Sequence, residues 1–191
     1  MDEKVDEMAE EFRIFAERNM QFMNLWTVYT DLLSGHYAPS LNDEKWSVGM
    51  TLMLLLYAYF YSLVEDSEDG VNAFRVWREK FPEEELTIAA IEAQVVPFRD
   101  LLRVFRNRLG FHGSRTRRHE SPGFDLFAQH KGDEIWNAMK NFKALGAALF
   151  AMDLARKGEG KYSREQVRHW IDAVSERARQ ATARKATPSS T

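Results

Sequence analysis

The chain has 191 residues, 45% of them hydrophobic and 29% charged, with a net charge of −3 and no cysteine. That length suits a core-forming domain, and the absence of thiols excludes disulfides and thiolate zinc sites. A net negative charge gives no general attraction for nucleic acid, so any such role has to come from a local concentration of cations.

Val5, Met8, Phe12, Phe15, Phe22, Trp26, Tyr29 and Leu33 recur at helical spacing. They predict one long amphipathic helix ending near Gly35. The acidic start of the chain has no apolar signal core, and a cytoplasmic location is expected. Asn42 is a candidate N-cap for a second helix running to about Asp66. Its stretch from Val48 to Val64 carries no charge but includes Thr51, Ser62 and three tyrosines. It falls short of the about 18–20 apolar residues of a membrane span. A buried central helix is expected, and no membrane association.

A short helix is predicted over Val71–Lys80, with Phe74 and Trp77 inward. Pro82 suits the first turn of the next segment, where a missing N–H does little harm. Ile88, Ile91 and Val95 continue its apolar face, and Pro97 should kink or restart it. Phe98, Leu102, Phe105 and Leu109 then mark a core face, with Arg99, Arg103 and Arg106 on another. Gly110 is placed to end this helix. Residues 113–123 read as a loop rich in Arg, Ser, Gly and Pro.

Asp133 is a candidate cap for a helix through Lys157, with Ile135, Trp136, Met139, Phe142, Leu145 and Leu149 inward. Gly158 and Gly160 should end it. Ser163 and Gln166 have capping-box spacing and open a last helix whose inward residues are Val167, Trp170, Ile171 and Val174. No stretch shows sustained strand alternation. The expected architecture is an all-α bundle of four main helices plus one or two short ones. One domain is expected over residues 1–177, followed by a frayed helix end and a disordered tail over 178–191.

Charge is concentrated between Arg99 and Arg118, where seven arginines face one acid; this local +6 leaves −9 for the rest of the chain. No glycine-rich phosphate loop, His-Glu-x-x-His motif or nucleophile elbow occurs. The five histidines do not fall at metal-ligand spacing, and no metal or cofactor is expected. What remains is Arg106, Asn107 and His112. An always-charged guanidinium and a group that titrates near neutral pH suit joint action on a phosphodiester. The same residues also have ordinary structural uses: arginine on helix carbonyls, asparagine as a cap, histidine as filler.

Arg106-Asn107, followed after a short spacer by His112 at a helix end in an all-α chain, resembles the HEPN superfamily (higher eukaryotes and prokaryotes nucleotide-binding domain). Its hallmark is an arginine, often with a polar residue directly after it, and then a histidine. The motif covers seven residues here, whereas the coarse helical pattern covers nearly the whole chain.

The resemblance implies a homodimer with facing motifs and, in many members, metal-independent ribonuclease activity in toxin–antitoxin, phage-defence or RNA-processing systems. Other members only bind RNA, a nucleotide or a protein partner. Some family toxins carry a tyrosine two residues after the histidine, where an antitoxin modifies them; this chain has Ser114 there. By the resemblance, Arg106, Asn107 and His112 are the catalytic residues. Arg103, Arg108, Arg115, Arg117 and Arg118 are candidate RNA contacts, because arginines hold phosphates well.

Overall fold

The computed structural model describes residues 2–34, 45–66, 71–109 and 132–186, with some side chains inside those ranges left out. All regular structure among the described residues is helical, and no strand occurs there. The helices are α1 (Asp2–Ser34), α2 (Lys45–Val64), α3 (Ala73–Lys80), α4 (Glu85–Val95), α5 (Arg99–Leu109), α6 (Gly132–Lys157) and α7 (Arg164–Ala186). Short 3-10 helices at Pro82–Glu84 and Val96–Phe98 precede α4 and α5. The two prolines expected to open or interrupt helices therefore sit in the tighter turns, whose hydrogen-bond pattern tolerates a missing donor. Asn42 as a cap, Gly110 as a stop and the loop over 113–123 lie outside the described residues.

The chain divides into two compact units. The first comprises residues 1–73 and 98–129, the second residues 74–97 and 130–191.

In the first unit, α2 packs against both α1 and α5. Its central place follows from its composition, since Met53, Leu56, Tyr57, Phe60, Leu63 and Val64 are all buried. Phe22 of α1 stacks on Phe60 with ring centroids 5.6 Å apart. No described helix is long and apolar enough to cross a membrane. At the end of α1 the buried residue is Leu32, whereas Leu33, expected inward, is 54% exposed. Gly49 of α2 stands opposite, where an added Cβ would lie 3.6 Å from Leu32 Cδ2, an ordinary van der Waals contact. No basic residue stands in the last turn of α2. Arg18 of α1 instead donates from Nη1 to the Ser62 carbonyl (3.2 Å), satisfying one of the carbonyls a helix end leaves open.

In the second unit α4, α6 and α7 pack on one another. Phe74, Trp77 and Phe142 form an aromatic cluster, with Phe142 5.7 Å from Phe74 and 4.8 Å from Trp77 between ring centroids. Gly146 admits Trp77, whose Cζ2 would be 3.2 Å from an added Cβ. Gln94 links three helices: its Nε2 donates to the Ala178 carbonyl and its Oε1 accepts from Asn141 Nδ2, both at 2.9 Å.

Gly158 ends α6 at φ 75°, with Glu159 N donating to Leu154 O at 3.0 Å. That left-handed turn suits glycine and returns the chain toward α7. The capping box forms as expected: Gln166 N donates to Ser163 Oγ (3.2 Å), and Ser163 N donates to Gln166 Oε1 (2.9 Å).

One expectation for α7 needs correction. Trp170 is 41% exposed rather than inward. The buried stripe is Val167, Ile171, Val174 and Ala178, and Trp170 precedes Ile171 by one position, about 100° around the helix. The helix also continues past Arg177 to Ala186, with Ala178 fully buried. The Ala178 carbonyl accepts the Gln94 hydrogen bond from α4.

Candidate functional site

Helix α5 begins directly after the Val96–Phe98 turn and buries Leu101 and Leu102. Arginines at 99, 103 and 106, spaced by four and three residues, share one side of the helix, on which Arg103 and Arg106 are about half exposed and Arg99 is mostly buried. Each has a carboxylate partner. Arg99 Nη1 is 3.5 Å from Asp66 Oδ2, and Arg103 Nη2 is 3.0 Å from Asp100 Oδ1. Arg106 donates from Nη1 to Glu65 Oε2, and its Cζ lies 5.4 Å from the centroid of the Tyr61 ring.

Arg106 sits in the last turn of α5, where a cation also offsets the partial negative charge of the helix end. Its side chain remains 48% exposed, whereas Glu65 is only 12% exposed. The carboxylate and the ring hold the guanidinium from two sides. A planar fork with five N–H donors, one of which goes to Glu65, keeps donors for a phosphate oxygen. Glu65 at the same time cancels part of the field that would attract a polyanion.

The structure brings Arg106 together with Tyr61 and Glu65. It places Asn107 and Arg108 in α5 without describing their side chains, and Arg103 on the exposed face beside Asp100. His112, Arg115, Arg117 and Arg118 lie outside the described residues, so the convergence of Arg106, Asn107 and His112 expected from sequence rests on chain proximity. Glu65 and Tyr61 escaped the sequence reading. Tyr61 lies in the last turn of α2 and Glu65 directly follows the helix, 41 residues before Arg106. Only the register of α2 on α5 brings them there, and the sole sequence signal was an acidic residue directly after a long uncharged run.

Among the described residues no group of three His, Asp or Glu side chains is disposed to hold a metal ion. Comparison with models of known protein families, with curated proteins and with solved structures gives no match.

Proposed function

We propose that the chain is a HEPN-type, metal-independent RNA endonuclease that acts through the 2′-hydroxyl of its substrate. The observation that carries this reading is Arg106: a half-exposed guanidinium fixed by Glu65 and Tyr61 in the last turn of α5. It is adjacent to Asn107 and six positions before His112.

In this reading the 2′-hydroxyl attacks the neighbouring phosphorus and the bond to the 5′-oxygen breaks, leaving a 2′,3′-cyclic phosphate. His112 removes the proton from the attacking hydroxyl or protonates the leaving oxygen. Arg106 stabilises charge on the phosphorane-like transition state. Asn107 orients the imidazole or a phosphate oxygen. Arg108, Arg115, Arg117 and Arg118 hold flanking phosphates. A two-fold homodimer with facing motifs supplies a second histidine, so that acid and base are separate groups. A toxin, phage-defence or RNA-processing role, with an antitoxin or other protein partner, accords with such chemistry.

The deciding experiment is incubation of the full chain with a mixed RNA pool in EDTA, with His112→Ala and Arg106→Ala alongside. Cleavage to cyclic-phosphate ends is expected. It should fall by roughly 10²–10⁴-fold in His112→Ala, the usual contribution of a general acid or base. Replacing the 2′-hydroxyls by 2′-O-methyl groups should abolish it. Full activity in His112→Ala, or equal cutting of methylated RNA, overturns the proposal.

A second reading is favoured by one observation: Arg99, Arg103 and Arg106 each already have a carboxylate partner. Such neutralisation suits a non-catalytic HEPN module that binds RNA, a nucleotide or a protein. RNA binding without cleavage in the same assay selects it.

A further inference from the structure

The second unit carries an aromatic pair that its core does not absorb. Tyr162 precedes the capping serine of α7, and its ring packs edge-on against Trp170 with centroids 4.5 Å apart. A residue at this position often folds back on the first turns of its helix, which explains why Tyr162 meets α7 at all. It does not explain why both rings remain so open, Tyr162 at 45% and Trp170 at 41% exposure.

The surroundings of this pair are cationic. From Arg156 to Arg164, across the turn between α6 and α7, four basic residues face one acid, Glu159. Two of the four are engaged: Arg156 pairs with Glu83, and Lys157 Nζ lies 2.9 Å from Asp153 Oδ2. The other two, Lys161 and Arg164, flank Tyr162 and Ser163 in sequence and are exposed. Arg164 Nη2 donates to the Arg156 carbonyl (3.2 Å), which ties its guanidinium to the end of α6.

Along α7 one cation shares the face of Trp170. The stripe through Trp170 contains Gln166, Ala173 and Arg177, and Arg177 Nε donates to the Ala173 carbonyl one turn back (3.3 Å). The acids Glu165, Asp172 and Glu176 lie roughly 120–160° away around the helix, on a side they share with Arg164, Arg168 and Arg179. Two open rings beside a basic turn, with Arg177 on the same helix face as Trp170, match how proteins hold single-stranded nucleic acid: bases stack on rings while the backbone follows positive charge.

We propose that Tyr162 and Trp170 form a base-stacking platform for single-stranded RNA, with Lys161, Arg164 and Arg177 contacting its phosphates. This rests on the RNA reading of the chain but not on cleavage or on the Arg106 motif. Because every base has a π-face, the platform favours unpaired RNA with little preference for sequence.

The test is fluorescence anisotropy of a labelled oligouridylate with the full chain carrying His112→Ala, so that cleavage does not interfere. Adding Trp170→Ala should weaken binding roughly tenfold, within the range measured for single stacking contacts. Trp170→Phe should keep most of the affinity, since a ring remains. Lys161→Ala with Arg164→Ala should reduce the salt dependence of binding. If Trp170→Ala does not fold by circular dichroism, Tyr162→Ala gives the same reading.

Affinity unchanged within about twofold in both ring-to-alanine variants overturns the platform. So does a loss of self-association in Trp170→Ala at constant RNA affinity, which would make the rings a protein contact. Stacking-dependent binding by a chain that never cuts RNA supports the platform while removing the nuclease. Cleavage with no effect of the ring variants does the reverse.

Discussion

Exchanging Glu65 for glutamine tests what the α2 carboxylate does for Arg106. Glutamine keeps the length and an acceptor oxygen but removes the charge. Arg106 is 48% exposed, so water screens much of the attraction, and pairs of that kind contribute about 0.2–1 kcal/mol. Glu65 is only 12% exposed, which moves the pair toward the upper end of that range. A hydrogen bond between two ions is also roughly twice as strong as its neutral counterpart. Glu65→Gln should therefore destabilise the wild-type chain by about 0.5–1 kcal/mol.

In an Arg106→Ala background the sign changes. There Glu65 is a mostly buried carboxylate without its guanidinium, and glutamine is easier to bury than an unpaired charge. The same exchange should be neutral or stabilising. Urea unfolding of the four variants at neutral pH reads the difference directly. Equal effects of Glu65→Gln in both backgrounds would refute the claim that the pair matters. The function follows the same logic. Glutamine still accepts from Nη1 but anchors Arg106 less firmly, so RNA cleavage should slow by about tenfold, mainly in kcat, since small misplacements of a catalytic group are costly.

Three further outcomes are expected. Phe142→Ala removes a fully buried ring that contacts Phe74 and Trp77, and should destabilise the second unit by about 3–5 kcal/mol in urea unfolding monitored by tryptophan fluorescence. Burial pushes the Asp153 carboxyl up, but hydrogen bonds from Lys157 and Lys80 outweigh this and hold it below the ordinary aspartate value of 3.8. Its stabilising effect is therefore fully present above that value and lost as pH falls through the depressed folded value, so the stability gap to Asp153→Asn should close in acid-unfolding curves below about pH 4. Arg117→Ala should weaken RNA binding and flatten its salt dependence by about 0.7 in the log–log slope, the share of one phosphate contact on a single strand.

Much of the helical layout was legible because it depends on local rules. The capping box at Ser163 and Gln166, the glycine stop at Gly158 and the proline turns at 82 and 97 each involve neighbours within a few residues. The errors fell where packing across elements decides. Leu32 rather than Leu33 faces α2, a register that the sequence of α1 alone does not fix. Trp170 lies one step off a stripe whose fourth member is a small alanine. In the candidate site, Arg106 was found from its own segment, whereas Tyr61 and Glu65 depend on how α2 lies against α5.

The same distinction bears on how the basic segment works. Counted along the chain it carries +6 with Asp100 already subtracted, but Glu65 and Asp66 at the end of α2 each pair with one of its arginines. The field over the described face of α5 is correspondingly weaker than the sequence suggests. In the proposed function, long-range attraction for RNA would then fall to Arg108, Arg115, Arg117 and Arg118, and in the second unit to the cations near Tyr162 and Trp170. Arg106, held by its carboxylate and ring, is better suited to act on a phosphate already bound than to draw one in. If both proposals hold, the partly neutralised guanidinium positions charge at the reacting group while the aromatic pair holds unpaired bases, two tasks that a simple basic patch would have to perform together.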